Sequence, residues 1–310
     1  MAARRLVGPL ATFHPRSAVA DNRGRVGSRP MSSPLQDRVV VMSGGSRGIG
    51  LAIAVALARA GARIALLAKT DQPHPKLPGT IHTAAGEIEA AGGEALPVVG
   101  DVRDEEQVDA FVAAAAKRWG RVDAVVNNAS AINLAPIADL PPKRYDLMLG
   151  INTRGTFVLT RAALPHLRES DHAHVLTLSP PLSADPRWLR GHAVYTVSKM
   201  GMTMLTLGVA EDERERGIGA NCLWPRTLIA TAAVQNLLGG EKAMAMSRTP
   251  EIVADAARVI LERDPREATG NAYIDDEVLA AAGVTDLERY RAAAGELALD
   301  LFVEGWPAPA

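Results

Sequence analysis

The residues RVVVMSGGSRGIG, numbers 38–50, decide the fold. An apolar, β-branched run leads through a glycine-rich turn directly into an alanine-rich helical period. A pyrophosphate can approach the amides at a helix N-terminus only where no Cβ blocks it, and glycine leaves that space open. The strand, turn and helix together therefore predict a nucleotide-binding loop with the spacing G-x-x-x-G-x-G. The predicted cofactor contacts in this loop are Ser43, Gly44, Ser46, Arg47, Gly48, Ile49 and Gly50.

Beyond this loop, apolar strands and alanine-rich helices continue to alternate along the chain. The pattern predicts an α/β fold, a single Rossmann-like domain with a doubly wound parallel sheet of about seven strands. The predicted strands are Arg38–Ser43, Arg63–Ala68, Glu94–Val99, Ala124–Asn127, His174–Leu178, Gly219–Leu223 and Ala272–Ile274. The predicted helices are Ile49–Ala60, Thr83–Ala91, Glu105–Trp119, Tyr145–Leu167 and Tyr195–Arg214. Proline-rich stretches at Asp71–Gly79 and Pro180–Gly191 predict loops over the ligand-binding face.

Two terminal segments, residues 1–34 and 291–310, flank the predicted domain at residues 35–290. The first is predicted to be a disordered basic leader, because its six arginines face one acid, Asp21, without apolar periodicity. It has two interpretations, a mitochondrial transit peptide or an over-long gene start with the true start at Met31. The protein is expected to be cytoplasmic if bacterial, and mitochondrial if the leader is a transit peptide. An apolar stripe over Leu287–Leu301 predicts a last helix, followed by a frayed tail.

Composition narrows the class of partner. The 34 Lys and Arg residues nearly balance 35 Asp and Glu residues, leaving a formal charge of -1, so no global field favours nucleic acid or an anionic membrane. No apolar stretch approaches the ~18 residues that would cross a bilayer. Cys222 has no second cysteine to pair with, and His172 and His174 lack a third metal ligand. We therefore expect a small-molecule partner and no metal, nucleic acid or integral membrane association.

The end of the second strand bears on the choice of cofactor. Lys69 stands about twenty residues beyond the glycine loop, where NAD enzymes place an acid that binds the ribose 2′-hydroxyl. An ammonium there, helped by Arg47, would pair with the 2′-phosphate of NADP(H). Asp71 lies close enough to weaken this prediction, and the alternative is that Lys69 is a solvated charge at a strand end.

Polar side chains end the next two strands. The Asp101 carboxylate could accept a hydrogen bond from the adenine amino group, with Val102 beside it. Asn128 follows the fourth strand and alone would indicate only a turn. Ligands bind at the carboxyl edge of such sheets, so all three residues are predicted cofactor contacts.

Tyr195 and Lys199 open a predicted helix, and their i, i+4 spacing puts both side chains on one face. A phenol can deliver a proton to a developing alkoxide if a neighbouring ammonium lowers its pKa, so the pair predicts acid–base catalysis and cofactor contact. Asn152 lies within a long predicted helix, whose interior disfavours Asn. It is predicted to distort that helix and hold a water that relays protons to Lys199; the alternative is a hydrogen-bonded Asn on the helix face.

These motifs resemble the short-chain dehydrogenase/reductase family. The resemblance rests on SGGSRGIG at 43–50, NNAS at 127–130, the helix around Asn152 and YTVSK at 195–199. A narrower resemblance is to the hydroxysteroid-dehydrogenase-like branch, whose animal members carry a C-terminal sterol-carrier domain. It rests on AKTDQPHPKLPGTI at 68–81, NTRGTF at 152–157, LSPPL at 178–182, LWPRT at 223–227 and TGNAYIDDEVL at 269–279. We expect no such carrier domain in this chain.

The resemblance implies an NADP(H)-dependent oxidoreductase that interconverts a carbonyl and a secondary alcohol on an apolar, steroid- or fatty-acyl-like substrate. It also implies a homo-oligomer, with the helices Glu105–Trp119 and Tyr145–Leu167 as contact faces. Apolar residues after the sixth strand fit a substrate-covering lid or an ordinary helix core equally well. These residues are Trp224, Leu228, Leu237, Leu238, Met244 and Met246.

The family's substrate-binding serine is the one site residue without a clear match. It is usually the second of two serines after the fifth strand, a position that here reads Ser179-Pro180. Ser179 is the candidate catalytic serine and Ser183 its rival. Pro180 at the serine position also motivates an alternative function, a non-catalytic NADP-binding sensor or scaffold. A lyase or epimerase on the same fold is a further alternative.

Overall fold

The computed structural model describes residues 33–74 and 77–306. Residues 1–32 of the predicted leader and the frayed tail at 307–310 lie outside the described residues.

Seven parallel strands form one sheet in the order β3-β2-β1-β4-β5-β6-β7, which confirms the predicted Rossmann-like fold. Their bounds are β1 Val39–Ser43, β2 Arg63–Ala68, β3 Glu94–Val99, β4 Ala124–Asn127, β5 His174–Leu178, β6 Gly219–Trp224 and β7 Ala272–Ile274. The strand order reverses between β1 and β4, and in open α/β sheets a reversal of this kind creates the ligand-binding crevice.

Helices cover both faces of the sheet because alternate residues of β1 point to opposite sides. Val40 and Met42 pack in one core with the helices α1, α2 and α9, whereas Val39 and Val41 pack in the other with α3 and α5. The helix bounds are α1 Gly48–Arg59, α2 Ile81–Ala90, α3 Glu105–Trp119, α4 Pro142–Leu149, α5 Gly155–Leu167, α6 Ala193–Asp212, α7 Ala232–Leu237, α8 Gly240–Ala245, α9 Glu251–Leu261 and α10 Asp275–Ala281.

The long helix predicted at Tyr145–Leu167 is divided into α4 and α5 by one wider π-helical turn, Gly150–Arg154. Asn152 lies at the centre of that turn and is fully buried. Its carboxamide bonds to the backbone of Ala131 on a neighbouring loop, so the side chain holds this turn against the loop. Single π-helical turns within α-helices often mark functional sites.

Helices α7 to α10 are absent from the sequence prediction. Helix α9 is the largest of them, and it packs along α1 with Ile252, Val253, Ile260 and Leu261 buried. These positions repeat at helical spacing, so the omission reflects a missed amphipathic pattern rather than a weak one.

The helix predicted at Leu287–Leu301 is wrong, because this part of the chain forms only one 3-10 turn, Glu288–Tyr290, and then runs extended. We call residues 291–306 the C-terminal segment. Its backbone bonds to other parts of the chain instead of to itself: Ala298 N donates to Met246 O at 2.9 Å, and Ala298 O accepts from Leu228 N at 3.0 Å. The leucines at 297, 299 and 301 alternate with the two-residue period of an extended chain.

Helix α6 approaches the π-helical turn closely at Gly201. A Cβ on Gly201 would lie 2.9 Å from Thr153 Cγ2, and Thr153 is held in place because its hydroxyl donates to Ser198 O at 2.9 Å. Gly208, seven residues further along the same helix, has no atom within 4 Å of the place where its Cβ would be.

We predict opposite effects of the same substitution at these two glycines. Gly208→Ala should raise the free energy of unfolding by about 0.5–1 kcal/mol, because alanine loses less backbone entropy in a helix. Gly201→Ala should lower it by roughly 1–3 kcal/mol, because the added methyl overpacks the contact with Thr153. Chemical denaturation of both variants measures the difference, and equal effects would contradict the close approach.

Candidate active site

The carboxyl ends of the strands open into one large pocket with a volume of about 1130 Å³. Its wall begins at the glycine loop, passes the ends of β2, β3 and β4, and reaches Tyr195 and Lys199 on α6. The remaining wall comes from the region of α7 and α8 and from Asp300 and Leu301 of the C-terminal segment. The structure therefore brings the predicted nucleotide loop and the predicted catalytic pair into one cavity.

The loop packs so closely against Asn128 that a side chain would not fit at Gly50. A Cβ on Gly50 would lie 2.4 Å from Asn128 Nδ2 and 2.4 Å from Gly44 O. Gly44 itself has φ 76°, in the left-handed region that favours glycine. The Asn128 amide donates to the backbone carbonyls of Ser43 and Gly44, so this side chain ties the loop to the end of β4.

Most predicted loop contacts lie in the pocket wall. Gly44, Ser46, Arg47, Gly48, Ile49 and Gly50 all line it. Ser43 does not; it is buried, and its hydroxyl accepts a hydrogen bond from Ala129 N at 3.2 Å. Ser43 thus supports the loop from behind.

Charged groups cluster at the β2 and β3 ends of the pocket. Lys69 Nζ lies 3.1 Å from Asp101 Oδ2, and Arg103 binds the same carboxylate. These hydrogen bonds, that of Arg103 foremost, hold the pKa of Asp101 well below its usual range. Lys69 is 62% exposed, so its ammonium remains accessible from the pocket.

Two further side chains decide how positive this end of the pocket is. Arg47 donates to Pro78 O and Gly79 O, both at 2.9 Å, which keeps its guanidinium beside the pocket. Asp71, the acid that could oppose a phosphate, bonds to His82 at 2.7 Å instead. The geometry thus leaves Lys69 and Arg47 at the pocket and directs Asp71 towards α2.

Tyr195 and Lys199 are both buried at the end of the pocket, with 5% and 2% of their surfaces exposed. Lys199 Nζ donates to Leu178 O at 2.9 Å and lies 5.2 Å from the centre of the Trp224 ring. Burial lowers the pKa of Lys199 to about 7. Burial, followed by the charge of Asp300, raises the pKa of Tyr195. This is opposite to the lowering by Lys199 that the sequence predicts.

Asn152 connects the π-helical turn to this pair. Its amide donates to Ser198 Oγ at 2.9 Å, and that hydroxyl donates to Tyr195 O at 2.8 Å. The predicted distortion of the helix is thus confirmed, and the side chain that distorts it also braces the start of α6. The water relay to Lys199 stays a prediction.

The geometry does not support the predicted catalytic role of Ser179. Its hydroxyl is fully buried outside the pocket wall and accepts from Thr203 Oγ1 at 2.9 Å. The rival Ser183 caps a turn, where its hydroxyl accepts from Asp185 N at 3.2 Å, and it too is absent from the wall. Because Pro180 follows directly, its rigid ring replaces the side chain that a second serine would provide.

The sequence prediction missed the C-terminal segment as part of the site. Phe302 is 3% exposed, and its ring lies 6.1 Å from that of Tyr195 and 5.9 Å from that of Trp224. Its φ of 70° is unfavourable for a bulky residue, at a cost of roughly 1–2 kcal/mol, which burial of the ring offsets. Asp300 lies two residues earlier, in the pocket wall.

Four of the six apolar residues that could form either a lid or a helix core lie in the pocket wall. Trp224, Leu237, Leu238 and Met244 line the pocket, whereas Leu228 and Met246 do not. Leu228 and Met246 instead contribute backbone hydrogen bonds to the C-terminal segment. Apolar side chains from the end of β6 and from the region of α7 and α8 therefore line this part of the pocket.

The described part of the chain contains neither a cluster of metal ligands nor a helix suited to a membrane. No group of three or more His, Cys, Asp and Glu side chains there could hold a metal ion. No helix in residues 33–74 and 77–306 combines the length and apolarity needed to cross a membrane.

Comparison with known proteins assigns the class. The short chain dehydrogenase family matches residues 38–242. The chain belongs to the short-chain dehydrogenase/reductase family of oxidoreductases. Within that family it falls in the hydroxysteroid dehydrogenase-like branch: it is 48% identical over 279 residues to hydroxysteroid dehydrogenase-like protein 2 of Xenopus tropicalis, covering 90% of this chain and 66% of that protein. The chain thus spans just under two thirds of this relative's length.

Solved structures agree with this assignment. A short chain dehydrogenase of Mycobacterium thermoresistibile is 54% identical, with a TM-score of 0.83, over 87% of this chain and 96% of the other. A metagenomic short-chain oxidoreductase in complex with NADP is 26% identical, with a TM-score of 0.64, over 78% of this chain and 98% of the other.

The orientation of Ser179 leads to a test against the sequence expectation. We predict that Ser179→Ala changes turnover by less than about threefold, because the hydroxyl faces the core. The variant should lose roughly 1 kcal/mol of stability, since Thr203 Oγ1 can still donate to Pro180 O at 2.7 Å. Steady-state kinetics and thermal unfolding measure the two effects. A hundredfold loss of turnover with unchanged stability would restore Ser179 as a catalytic residue.

Proposed function

We propose that the chain is an NADP(H)-dependent oxidoreductase that interconverts a carbonyl and a secondary alcohol on an apolar, steroid- or fatty-acyl-like substrate. The observation that carries the proposal is the shared pocket: Tyr195 and Lys199 line the same cavity as the glycine loop. A proton donor near a nucleotide site is what hydride transfer to a carbonyl requires.

The residues present fit a dinucleotide. The glycine loop lines the pocket and leads into the N-terminus of α1, which favours a pyrophosphate. The glycines at 44 and 50 let this loop pack directly against Asn128. Ser46, Ile49 and Asn128 complete this part of the wall, and Val102 borders the region near Asp101. When bound, the cofactor supplies or accepts the hydride.

Tyr195 is the proposed proton donor and acceptor. In carbonyl reduction its hydroxyl gives a proton to the substrate oxygen, and in alcohol oxidation the phenolate takes that proton back. A charged Lys199 side chain stabilises the phenolate. Because burial lowers the pKa of Lys199 to about 7, its ammonium form predominates below that pH. Asn152 acts on both through Ser198, by fixing the first turn of α6.

A 2′-phosphate fits the charges at the β2 end of the pocket. Lys69 and Arg47 both line it, while Asp71 is bonded to His82. Asp101 partly neutralises Lys69, yet the exposed ammonium can also reach a phosphate. These contacts favour NADP(H) over NAD(H).

The substrate end of the pocket is apolar. Ile132, Trp224, Leu237, Leu238, Met244 and Leu301 line it, and such walls favour hydrophobic ligands with one polar reacting group. The name of the Xenopus relative points towards steroid-like molecules, and a fatty-acyl carbonyl fits the same wall.

We further propose a homo-oligomer formed through α3 and the α4–α5 region. Tyr145 and Phe157 present exposed aromatic rings there, with 47% and 49% of their surfaces accessible. Exposed aromatic residues of this size are enriched in protein interfaces.

The central prediction concerns Tyr195. Tyr195→Phe should lower the rate of NADPH oxidation with an apolar ketone at least a hundredfold, because the proton donor is lost. NADPH binding, measured by fluorescence, should change little. Tyr145→Phe is the matched control and should leave the rate unaltered, since Tyr145 lies outside the pocket wall.

Other outcomes would support the alternatives. Product formation without a change in nicotinamide absorbance would favour the lyase or epimerase. NADPH binding without turnover of any tested carbonyl or alcohol would favour the sensor or scaffold. Undiminished turnover by Tyr195→Phe would exclude the proposed proton donor.

The cofactor preference has its own test. Lys69→Met keeps the aliphatic stem and removes the charge, so the Kd for NADPH should rise about tenfold to a hundredfold, as expected when a charge-assisted hydrogen bond is lost. Lys69→Asp should weaken NADPH binding further, and NADH binding should change much less in both variants. Lys117→Asp, an exposed site on α3, controls for net charge. Equal effects on NADPH and NADH would contradict the role of Lys69.

A further inference from the structure

A short stretch of the C-terminal segment, residues 301–304, is anchored at both ends by one arginine. Before the stretch, Asp300 N donates to Arg226 O at 2.9 Å. After it, the Arg226 guanidinium donates to Gly305 O. Arg226 is buried and pairs with Asp276 at 2.7 Å, so both anchors have a rigid support. We call residues 301–304 the Phe302 loop.

The ring of Phe302 is surrounded by four other rings from two parts of the molecule. Tyr195 and Trp224, whose ring centres lie 6.1 Å and 5.9 Å from it, belong to the pocket wall. Trp188 and His192, at 5.7 Å and 6.3 Å, belong to the connection between β5 and α6 and lie outside that wall. The Phe302 ring therefore fills the space between the catalytic tyrosine and this connection.

This aromatic group is part of an apolar cluster that is separate from the two cores on the faces of the sheet. It contains Ile132 and Leu134 from the connection after β4, Trp188 from the connection after β5 and Trp224 from the end of β6, with Phe302 among them. In open α/β sheets, ligands bind outside the carboxyl ends of the strands, where these connections lie. The ring of Phe302 thus occupies a place that suits an apolar ligand.

Two local features oppose this position of the loop. Phe302 has φ 70°, which is unfavourable for a bulky residue. Beside its ring, Trp188 Nε1 and His192 Nε2 are buried and have no hydrogen-bond partner among the described residues. Burial of the ring favours the position, and an apolar ligand of similar size would bury the same surroundings.

We propose that the Phe302 ring occupies a substrate subsite beside Tyr195 and swings out between its two anchors at Arg226 to admit the body of a bulky apolar ketone. The proposal rests on the function proposed above, which supplies the ketone. A small ketone does not need this space, so Phe302 determines specificity by size. The affinity for a bulky ketone is then reduced in proportion to the fraction of molecules in which the loop is open.

Fluorine NMR of the full chain labelled with 4-fluorophenylalanine follows the ring directly. Phe302→Leu identifies the Phe302 signal, while Phe111, fully buried, and Phe157, 49% exposed, serve as references. In the free protein the Phe302 signal should resemble that of Phe111, without a shift between H2O and D2O. Saturating 2-decalone with NADP+ should give it the solvent shift of Phe157 and leave both reference signals unchanged.

The kinetic test compares Phe302→Ala with Trp306→Ala. Each variant removes an aromatic ring from the C-terminal segment, but Trp306 is 51% exposed, lies against Arg248 and is outside the cluster. Phe302→Ala should lower KM for 2-decalone about tenfold, because no ring has to leave, with kcat within about threefold of wild type. KM for 2-butanone should change much less, and Trp306→Ala should alter neither value. If Phe302→Ala does not fold, Phe302→Leu replaces it and should act in the same direction.

A ring that only supports Tyr195 and Trp224 would give a different result. Its removal would lower kcat for both ketones without lowering KM for 2-decalone, which overturns the proposal. Reduction of 2-decalone by the wild type, with a Phe302 signal that stays buried in the complex, also overturns it and leaves the proposed function intact. Failure of both the wild type and Phe302→Ala to reduce either ketone, despite NADPH binding, counts against the proposed function and with it against the subsite.

Discussion

The buried ammonium of Lys199 is the constraint on which the site depends. A buried charge without a counter-charge is costly, and within the described residues the groups that contact this ammonium directly are neutral, the carbonyl of Leu178 and the face of Trp224. Desolvation therefore brings the pKa of Lys199 to about 7, and small changes in the surrounding charge decide whether it is protonated. The fold keeps this balance by fixing each neighbour: β5 presents the carbonyl, and Trp224 is held because its Nε1 donates to Leu301 O.

The need to hold Trp224 over the Lys199 ammonium explains why the C-terminal segment is part of the candidate active site. Trp224 alone ends a strand and could turn away, but the bond to Leu301 and the contact with Phe302 fix the ring over Lys199. The segment is in turn anchored beyond the pocket. Arg226, itself 4% exposed, binds Asp276 through its Nε at 2.7 Å and donates to Gly305 O. A buried ion pair of this kind adds little net stability, because the cost of desolvating both charges offsets much of their attraction. Its main effect is to fix the position of the segment.

Sequence patterns predicted the parts of the molecule whose signals are local. The strands follow from apolar runs, the glycine loop from its spacing and context, and the pairing of Tyr195 with Lys199 from the helical repeat. The break in the helix at Asn152 could be anticipated because Asn is unfavourable inside a helix, although the partner that holds it, Ala131, lies in another element. Ser179 shows the limit of this reasoning, since a motif places a residue along the chain and not the direction of its hydroxyl.

The C-terminal segment was missed for a different physical reason. The leucine spacing alone predicts one face of a helix, but the backbone of this segment bonds to residues between Arg226 and Ser247, and no local pattern reveals partners so far away in sequence. Asp300 gains its environment only through those bonds. In a solvated helix it would be an ordinary surface acid, whereas next to Lys199 and Asp275 it titrates near neutrality.

Two features of the chain therefore bear on the surroundings of Tyr195. Pro180 stands where the family resemblance implies a serine, and Asp300 of the C-terminal segment lies in the wall of the pocket. A serine hydroxyl would have stabilised charge on the substrate oxygen, whereas a carboxylate opposes charge on the phenol. Asp300 is thus not a substitute for the serine, because a charged carboxylate accepts hydrogen bonds and cannot donate one to the substrate oxygen.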